Sequence, residues 1–389
     1  MDSNRVNGPS YPLPRQTTRA VRVGPLTIGG GAPISVQAMT KTPTVDVEAT
    51  VAQIHALEAA GCHLVRAAVP DAASARALAA IKARIRIPLV ADIHFNYTFA
   101  LLALDGGVDK LRLNPGNLKN PAHVRAVAAA ATARGVPIRI GMNNGSIPAA
   151  LRARFPFTPA GNAQALVEGA LAHIRLLEAL DFTDIIVSLK ASDVITTVLA
   201  YRLMAAARDY PLHVGVTEAG PPPEGLIKSA AGIGQLLGEG LGDTLRVSLT
   251  ADPVEEVDAG WHLLRALELR EGGITLTACP TCARCDVNLD PIAHAVKARL
   301  RALDHRLRAA GRSLRVAVMG CEVNGPGEAR DADLGIAGAI GEGVLFRQGQ
   351  SLGRVPEADL VDTLVREVEA LAQREGGPVD ARLPGGSGS

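Results

Sequence analysis

The chain has 389 residues, 47% hydrophobic and 20% charged, with 40 Lys+Arg against 39 Asp+Glu for a formal net charge of +1. This is the composition of a globular protein, and no apolar stretch is long and uninterrupted enough for a membrane span. Near-neutral charge and 3% aromatic residues argue against a general nucleic-acid binder, which needs a basic surface and stacking platforms.

The first residues, "MDSNRVNGPSYPLPRQTTR", lack the apolar core of a signal peptide. A reducing, cytoplasmic location is therefore expected, where clustered cysteines mean metal or catalysis more often than disulfides. The length predicts two domains. Between residues 34 and 249, short β-branched runs alternate with longer stretches of helical apolar spacing: "ISVQAM" (34–39), "LVRAAV" (64–69), "PLVADI" (88–93), "KLRLNP" (110–115), "PIRIGM" (137–142), "DIIVSLK" (184–190), "LHVGVTE" (212–218) and "DTLRVSL" (243–249). Eight such βα units is the count that closes a (β/α)8 TIM-type barrel, whereas a doubly wound sheet normally has fewer strands. The connection "NNGSIPAALRARFPFTPAGNAQ" carries Gly and Pro breakers and reads as an excursion over the barrel top. After "PVEEVDAGWHLLRALELR", the eighth helix, the pattern changes to a strand, a cysteine cluster, a long helix near 290–310, further short strands and a last helix near 356–374, which describes a small α+β domain. The expected division is a barrel with an N-terminal tail over 1–272, a second domain over 273–375 and a disordered tail over 376–389.

In such barrels chemistry gathers at the C-terminal ends of the strands. Strand alternation groups Arg112 with Asn114, Arg139 with Asn143, Arg246 with Ser248 and Asp92 with His94, while Arg66, Lys190 and Glu218 end three more runs. Arg66, Arg112, Arg139, Lys190 and Arg246 come from five different strands, and five cations in one crevice repel unless an anion fills it. Any one strand-end arginine is as well explained by a helix carboxylate; five together point to a small substrate carrying two phosphates. Glu218, a lone carboxylate among these cations, is the barrel candidate for acid or base work. The glycines of "AAGIGQLLGEGLGD" are not a dinucleotide fingerprint, because Leu237 stands where the third glycine belongs and no strand immediately precedes.

"TACPTCARC" places Cys279, Cys282 and Cys285 within seven residues, and Cys321 follows in "GCEVNGPGEA". Four thiolates suffice for a structural zinc or an iron–sulfur cluster. The second segment offers neither a Cys-x-x-Cys nor a histidine, so iron–sulfur is favoured over a zinc domain appended to a non-redox phosphosugar barrel. Cys62, just before the second strand, reads as a buried small hydrophobe.

The chain resembles the 4-hydroxy-3-methylbut-2-enyl diphosphate synthase family of non-mevalonate isoprenoid biosynthesis. The likeness runs in order through "VQAMT", "VRAAVP", "ADIHFN", "KLRLNPGN", "SLKASD", "TEAG", "GDTLRVSL", "ADPVEE", "ACPTC" and "GCEVNGPGEA". It implies a barrel that binds 2-C-methyl-D-erythritol 2,4-cyclodiphosphate and a C-terminal domain, similar to modules of sulfite reductase, that carries a [4Fe-4S] cluster. By motif it assigns Cys279, Cys282, Cys321 and Glu328 to the cluster. Arg66, Arg112, Asn114, Arg139, Asn143, Lys190, Arg246 and Ser248 fall to the substrate beside Asp92 and His94, and Glu218 becomes a proton donor. It also implies flavodoxin or ferredoxin as electron donor and a homodimer. Cys285 departs from the family pattern. Glu328 is still the expected fourth ligand, since a carboxylate is harder and more easily displaced than a thiolate and leaves a coordination position available for chemistry.

Overall fold

The computed structural model describes residues 11–94, 96–114, 120–322 and 329–374. Glu328 and the segment 376–389, expected to be a disordered tail, lie outside the described residues. The chain divides into two compact units, residues 1–270 and 271–389.

In the first unit a hairpin of β1 (Val21–Val23) and β2 (Leu26–Ile28) precedes eight parallel strands: β3 (Ser35–Met39), β4 (Leu64–Val69), β5 (Leu89–Ile93), β6 (Lys110–Leu113), β7 (Ile138–Asn143), β8 (Ile185–Lys190), β9 (His213–Val214) and β10 (Thr244–Leu245). The sheet order is β8-β7-β6-β5-β4-β3-β10-β9. It closes between its ends through the parallel bridge Val187↔Leu212, so the eight strands form the TIM-type barrel. The last two runs are shorter ladders than their apolar lengths suggest. Beyond Val214 and Leu245 the backbone leaves the ladder: Thr217 N–H donates to Ala191 O, and Leu249 N–H to the Glu256 carboxylate. Glu218 and Ser248 therefore sit past the strand ends, not on them.

Alternation along each strand decides which face holds what. Val65, Ala67, Val69, Leu89, Ala91, Ile93, Leu111, Leu113, Ile138 and Ile140 join the main apolar core with the surrounding helices. Their neighbours of opposite parity, including Arg66, Asp92, Lys110, Arg112 and Arg139, line the barrel interior. At the N-terminal end, Val21, Val23 and Ile28 of the hairpin pack on Leu64, Val90 and Ile186 and plug the floor. The mouth is thus the open end. Most helices that follow strands there start on side-chain caps, the helix Glu224–Gly238 excepted: Asp46, Asp71, Asn96, Asn120, Thr158, Asp193 and Asp252 each accept a backbone N–H of the first turn. Each such cap is worth about 1 kcal/mol and pins a helix N-terminus at the mouth. The glycines of "AAGIGQLLGEGLGD" fall in and just after the helix Glu224–Gly238, in agreement with a packing role.

The second unit is a five-stranded sheet of order β11-β12-β13-β14-β15, with β11 (Gly273–Ala278), β12 (Ser313–Met319) and β13 (Leu334–Ala339) parallel and β14 (Glu342–Arg347) and β15 (Gln350–Pro356) antiparallel. Helix Leu289–Ala309 makes the crossover from β11 to β12, and it packs with helix Leu360–Arg374 through Val296, Leu300, Leu303, Leu307, Leu364, Val365 and Val368. Among the described residues no helix is long and apolar enough to cross a membrane.

Candidate functional site

The barrel mouth is built around one carboxylate. Asp92 accepts a hydrogen bond from Arg112 Nη1 at 3.0 Å, lies 3.6 Å from Arg66 Nε and stands 3.3 Å from His94 Nε2. Register explains the grouping, since Ala68 pairs with Asp92 and Asp92 with Arg112, which in turn pairs with Arg139. Burial alone pulls the Asp92 carboxyl pKa upward, but Arg66, Arg112 and His94 outweigh it and hold the group far below the usual carboxylate range. Across the mouth, Glu256 at the start of helix Pro253–Ala266 accepts from Arg246 Nε and Nη2 at 3.3 and 3.2 Å and lies 3.6 Å from Lys41 Nζ. Met39 sulfur receives Arg66 Nη2 at 2.8 Å and Arg246 Nη1 at 3.6 Å, bridging the two arginines.

Strand-end arginines paired with carboxylates thus account for Arg66, Arg112 and Arg246. They do not account for Arg139 or Lys190. Arg139 is 1% exposed and its Nε and Nη1 find no partner among the described residues. Arg112 Nε is likewise unpartnered although Nη2 reaches Gly141 O at 3.1 Å. Burial, then Arg139, Arg246, Arg66 and Arg112, push the Lys190 ammonium well below the usual lysine range. Burial, then Arg66 and Arg112, depress Arg139, and burial lowers Arg66 to about 10 against the pull of Asp92. Two glycines leave room for these side chains: a Cβ at Gly215 would sit 2.6 Å from Lys190 Nζ, and one at Gly141 would sit 2.6 Å from Arg112 Nε. A cluster of buried, aligned and incompletely paired cations is what a multiply charged anion needs.

Asn114 is buried in the mouth, Asn143 and Ser248 are half-buried, and His94 is exposed. Glu218 is exposed and adopts φ +53, a left-handed conformation that costs a non-glycine residue on the order of 1 kcal/mol or more. Sequence reasoning missed a lower layer: Lys110, fully buried with Nζ 3.5 Å from Gln37 Oε1, and His213, fully buried with both ring nitrogens unpartnered among the described residues. Lys110 shares strand parity with Arg112, so the signal was present. Glu256 and Lys41 lie outside the strand runs and had none.

In the second unit Cys279 directly follows β11 and Cys321 lies two residues beyond β12, so the C-terminal ends of adjacent parallel strands bring them together. Gly320 N–H donates to Cys279 Sγ at 3.3 Å, and Cys279 N–H to Val318 O at 3.3 Å. Cys282 is exposed, Cys279 and Cys285 half-buried, Cys321 buried, and all are free thiols. A Cβ at Gly320 would lie 2.4 Å from Cys285 Sγ and 3.4 Å from Cys279 Sγ, so glycine there makes room for sulfur. Thr281, between Cys279 and Cys282, has φ +60, strain a β-branched residue carries only where the surroundings enforce it. Cys279 thus accepts a backbone N–H with Cys285 beside it over Gly320, soft donors of the kind an iron–sulfur group takes, although among the described residues no three of the cysteine sulfurs lie within 4.8 Å of one another. Cys62 is buried in the barrel core with its thiol pushed up to about 12 by desolvation, as an inert apolar filler should be.

Fold and sites together define a cation-lined (β/α)8 barrel joined to a cysteine-bearing sheet-and-helix domain. The sequence matches the family models of the GcpE TIM-barrel domain over residues 18–261 and of the GcpE protein C-terminal domain over 275–370. The chain belongs to the GcpE family. A 4-hydroxy-3-methylbut-2-en-1-yl diphosphate synthase (flavodoxin) of Geobacter sulfurreducens is 55% identical over 91% of this chain and 98% of its own. Proteins of the same name from Geobacillus kaustophilus, 53% identical over 92% and 93%, and Dehalococcoides mccartyi, 52% identical over 92% and 100%, match equally broadly.

Proposed function

We propose that this chain converts 2-C-methyl-D-erythritol 2,4-cyclodiphosphate to (E)-4-hydroxy-3-methylbut-2-enyl diphosphate by reductive ring opening. Two electrons and two protons enter and one water leaves: the bond from the tertiary carbon to its bridging phosphate oxygen breaks, the C3 hydroxyl departs, and a carbon–carbon double bond forms. The observation that carries the substrate assignment is the convergence of Arg66, Arg112, Arg139, Lys190 and Arg246 on one mouth where, among the described residues, Asp92 and Glu256 are the only carboxylates paired with them. The names of the 52–55% identical relatives carry the reaction.

The basic residues hold both phosphates and stabilise the charge released on the one that leaves. Asp92 fixes Arg112 and Arg66 so that their forks face the guest. Asn114, Asn143 and Ser248 orient the polyol, His94 stands at the rim, and Glu218 delivers a proton at its carboxyl to the departing hydroxyl. Cys279, Cys282 and Cys321, with Glu328, would hold a [4Fe-4S] cluster, which when bound would supply electrons one at a time. Flavodoxin, part of the relatives' names, is the inferred donor ahead of ferredoxin. A homodimer working in the reducing cytoplasm completes the reading; a fully active monomer overturns that part.

The deciding experiment is anaerobic turnover of the cyclodiphosphate with a chemical reductant and identification of the product. Brown, oxygen-sensitive protein with bound iron and the allylic diphosphate as product are expected. Colourless protein holding stoichiometric zinc, with no product, overturns the proposal.

A further inference from the structure

Cys285 has no assigned role among the proposed ligands, yet it is not placed at random. Its sulfur and that of Cys279 both rest over Gly320, at 2.4 and 3.4 Å from the same Cβ position, which bounds their separation at no more than about 5.8 Å. Both side chains are half-buried against the same apolar core, while Cys282 is exposed. Rotation of a side chain between staggered wells carries its sulfur about 3 Å, so rotation of both is of the size needed to close that gap to the ~2.05 Å of a disulfide. Among the described residues the thiol of Cys285 donates to Val287 O at 3.2 Å, a weak bond that a rotation gives up at little cost.

We propose that Cys285 is a resolving cysteine for Cys279: in the cluster-free chain the two form a reversible disulfide that caps Cys279 against irreversible oxidation and blocks metal loading until it is reduced. The step balances with a low-molecular-weight disulfide as oxidant. The Cys279 thiolate attacks oxidised glutathione and expels one glutathione thiolate; Cys285 then attacks the mixed disulfide and expels the second, and its proton goes to solvent. One protein disulfide and two reduced glutathiones result. The pairing of a metal-ligating thiol with a neighbour that resolves it is the arrangement that keeps oxidation on the reversible rung. The consequence for loading rests on Cys279 being a cluster ligand; the linkage itself does not.

The test uses the full chain, stripped of iron by chelator without oxygen and treated with oxidised glutathione. Trypsin cuts after Arg284 and so separates Cys285 from the peptide that holds Cys279 and Cys282. Wild type should lose two free thiols and yield a cross-linked peptide pair that dithiothreitol resolves. Cys282→Ser should retain the link. Cys285→Ser should lose it and accumulate a glutathione adduct at Cys279. Iron and sulfide uptake, read by bound iron and visible absorbance, should fall at least tenfold in the linked wild type and return after reduction. A link between Cys279 and Cys282, a link lost in Cys282→Ser, or a Cys285 that stays open to alkylation overturns the proposal. Reduced protein that takes up no iron and sulfide overturns the cluster reading instead, leaving the linkage result to stand by mass alone.

Discussion

Asp92→Asn removes the carboxylate on which the mouth is organised while nearly preserving its shape. Arg112 and Arg66, 3.0 and 3.6 Å away, then become buried cations without their anion. Breaking a buried ion pair by neutralising one partner costs about 3–5 kcal/mol, because the other charge stays desolvated and unpaired. For a barrel of this size, at about 2 °C per kcal/mol, the melting temperature of the empty protein should fall by roughly 6–10 °C. Inorganic diphosphate should recover much of that loss. At a hundred times its Kd a ligand stabilises by about 2.7 kcal/mol, and in the variant it also replaces the missing anion, so its stabilising shift should exceed that seen in the wild type. Scanning calorimetry with and without diphosphate reads both effects. Equal diphosphate shifts in the two proteins, or an unchanged melting temperature in the empty variant, would refute the view that Asp92 and the substrate's phosphates compensate the same cations.

Four further outcomes are expected. Because Lys190 is held well below its usual range by burial and by its cationic neighbours, diphosphate binding should raise its pKa, take up protons and weaken as pH rises; calorimetric titrations in two buffers of different ionisation enthalpy check the uptake. His63, desolvated and facing Arg270, is pushed down to about 3 from 6.5, so the unfolded chain binds the extra proton across that window. Stability should therefore be unaffected by this group above pH 6.5 and fall as pH drops toward 3, by about 4–5 kcal/mol in full, a loss that urea titrations should find reduced in His63→Gln. Glu218→Gln should lower turnover by roughly 10²–10⁴-fold with diphosphate affinity unchanged, while Glu218→Gly should stabilise the protein by about 1 kcal/mol through relief of its positive φ. Gly320→Ala should impair metal loading, since its Cβ would meet Cys285 Sγ at 2.4 Å, and a second change, Cys285→Ala, should restore it as read by bound iron.

The barrel was legible because its strands alternate so regularly. β4 runs over Leu64–Val69, the same six residues as the run "LVRAAV", and its parity alone places Arg66 inside and Val65 and Ala67 against helices. The seventh and eighth runs misled in length, because Val216 and Val247 carry the apolar alternation on past the ladders, to where Thr217 and Leu249 turn their N–H groups to other acceptors. Periodicity records which face is apolar and says nothing about where a ladder stops. The site divides the same way. Arg112 and Arg139 were readable from their strands, whereas Glu256 neutralises Arg246 from a helix whose sequence contains no hint of that partner. Lys110 was overlooked for a different reason: at the start of a run a lysine resembles a solvated strand end, and only the closed cylinder buries it.

The hairpin of Val21, Val23 and Ile28, seated on Leu64, Val90 and Ile186, makes the barrel a blind tube. Traffic through it is two-way on a single lane. A diphosphate product released inside leaves past the same arginines that drew the substrate in, and the two ligands compete for one doorway. Where release of product limits turnover, tighter phosphate binding slows such an enzyme instead of helping it.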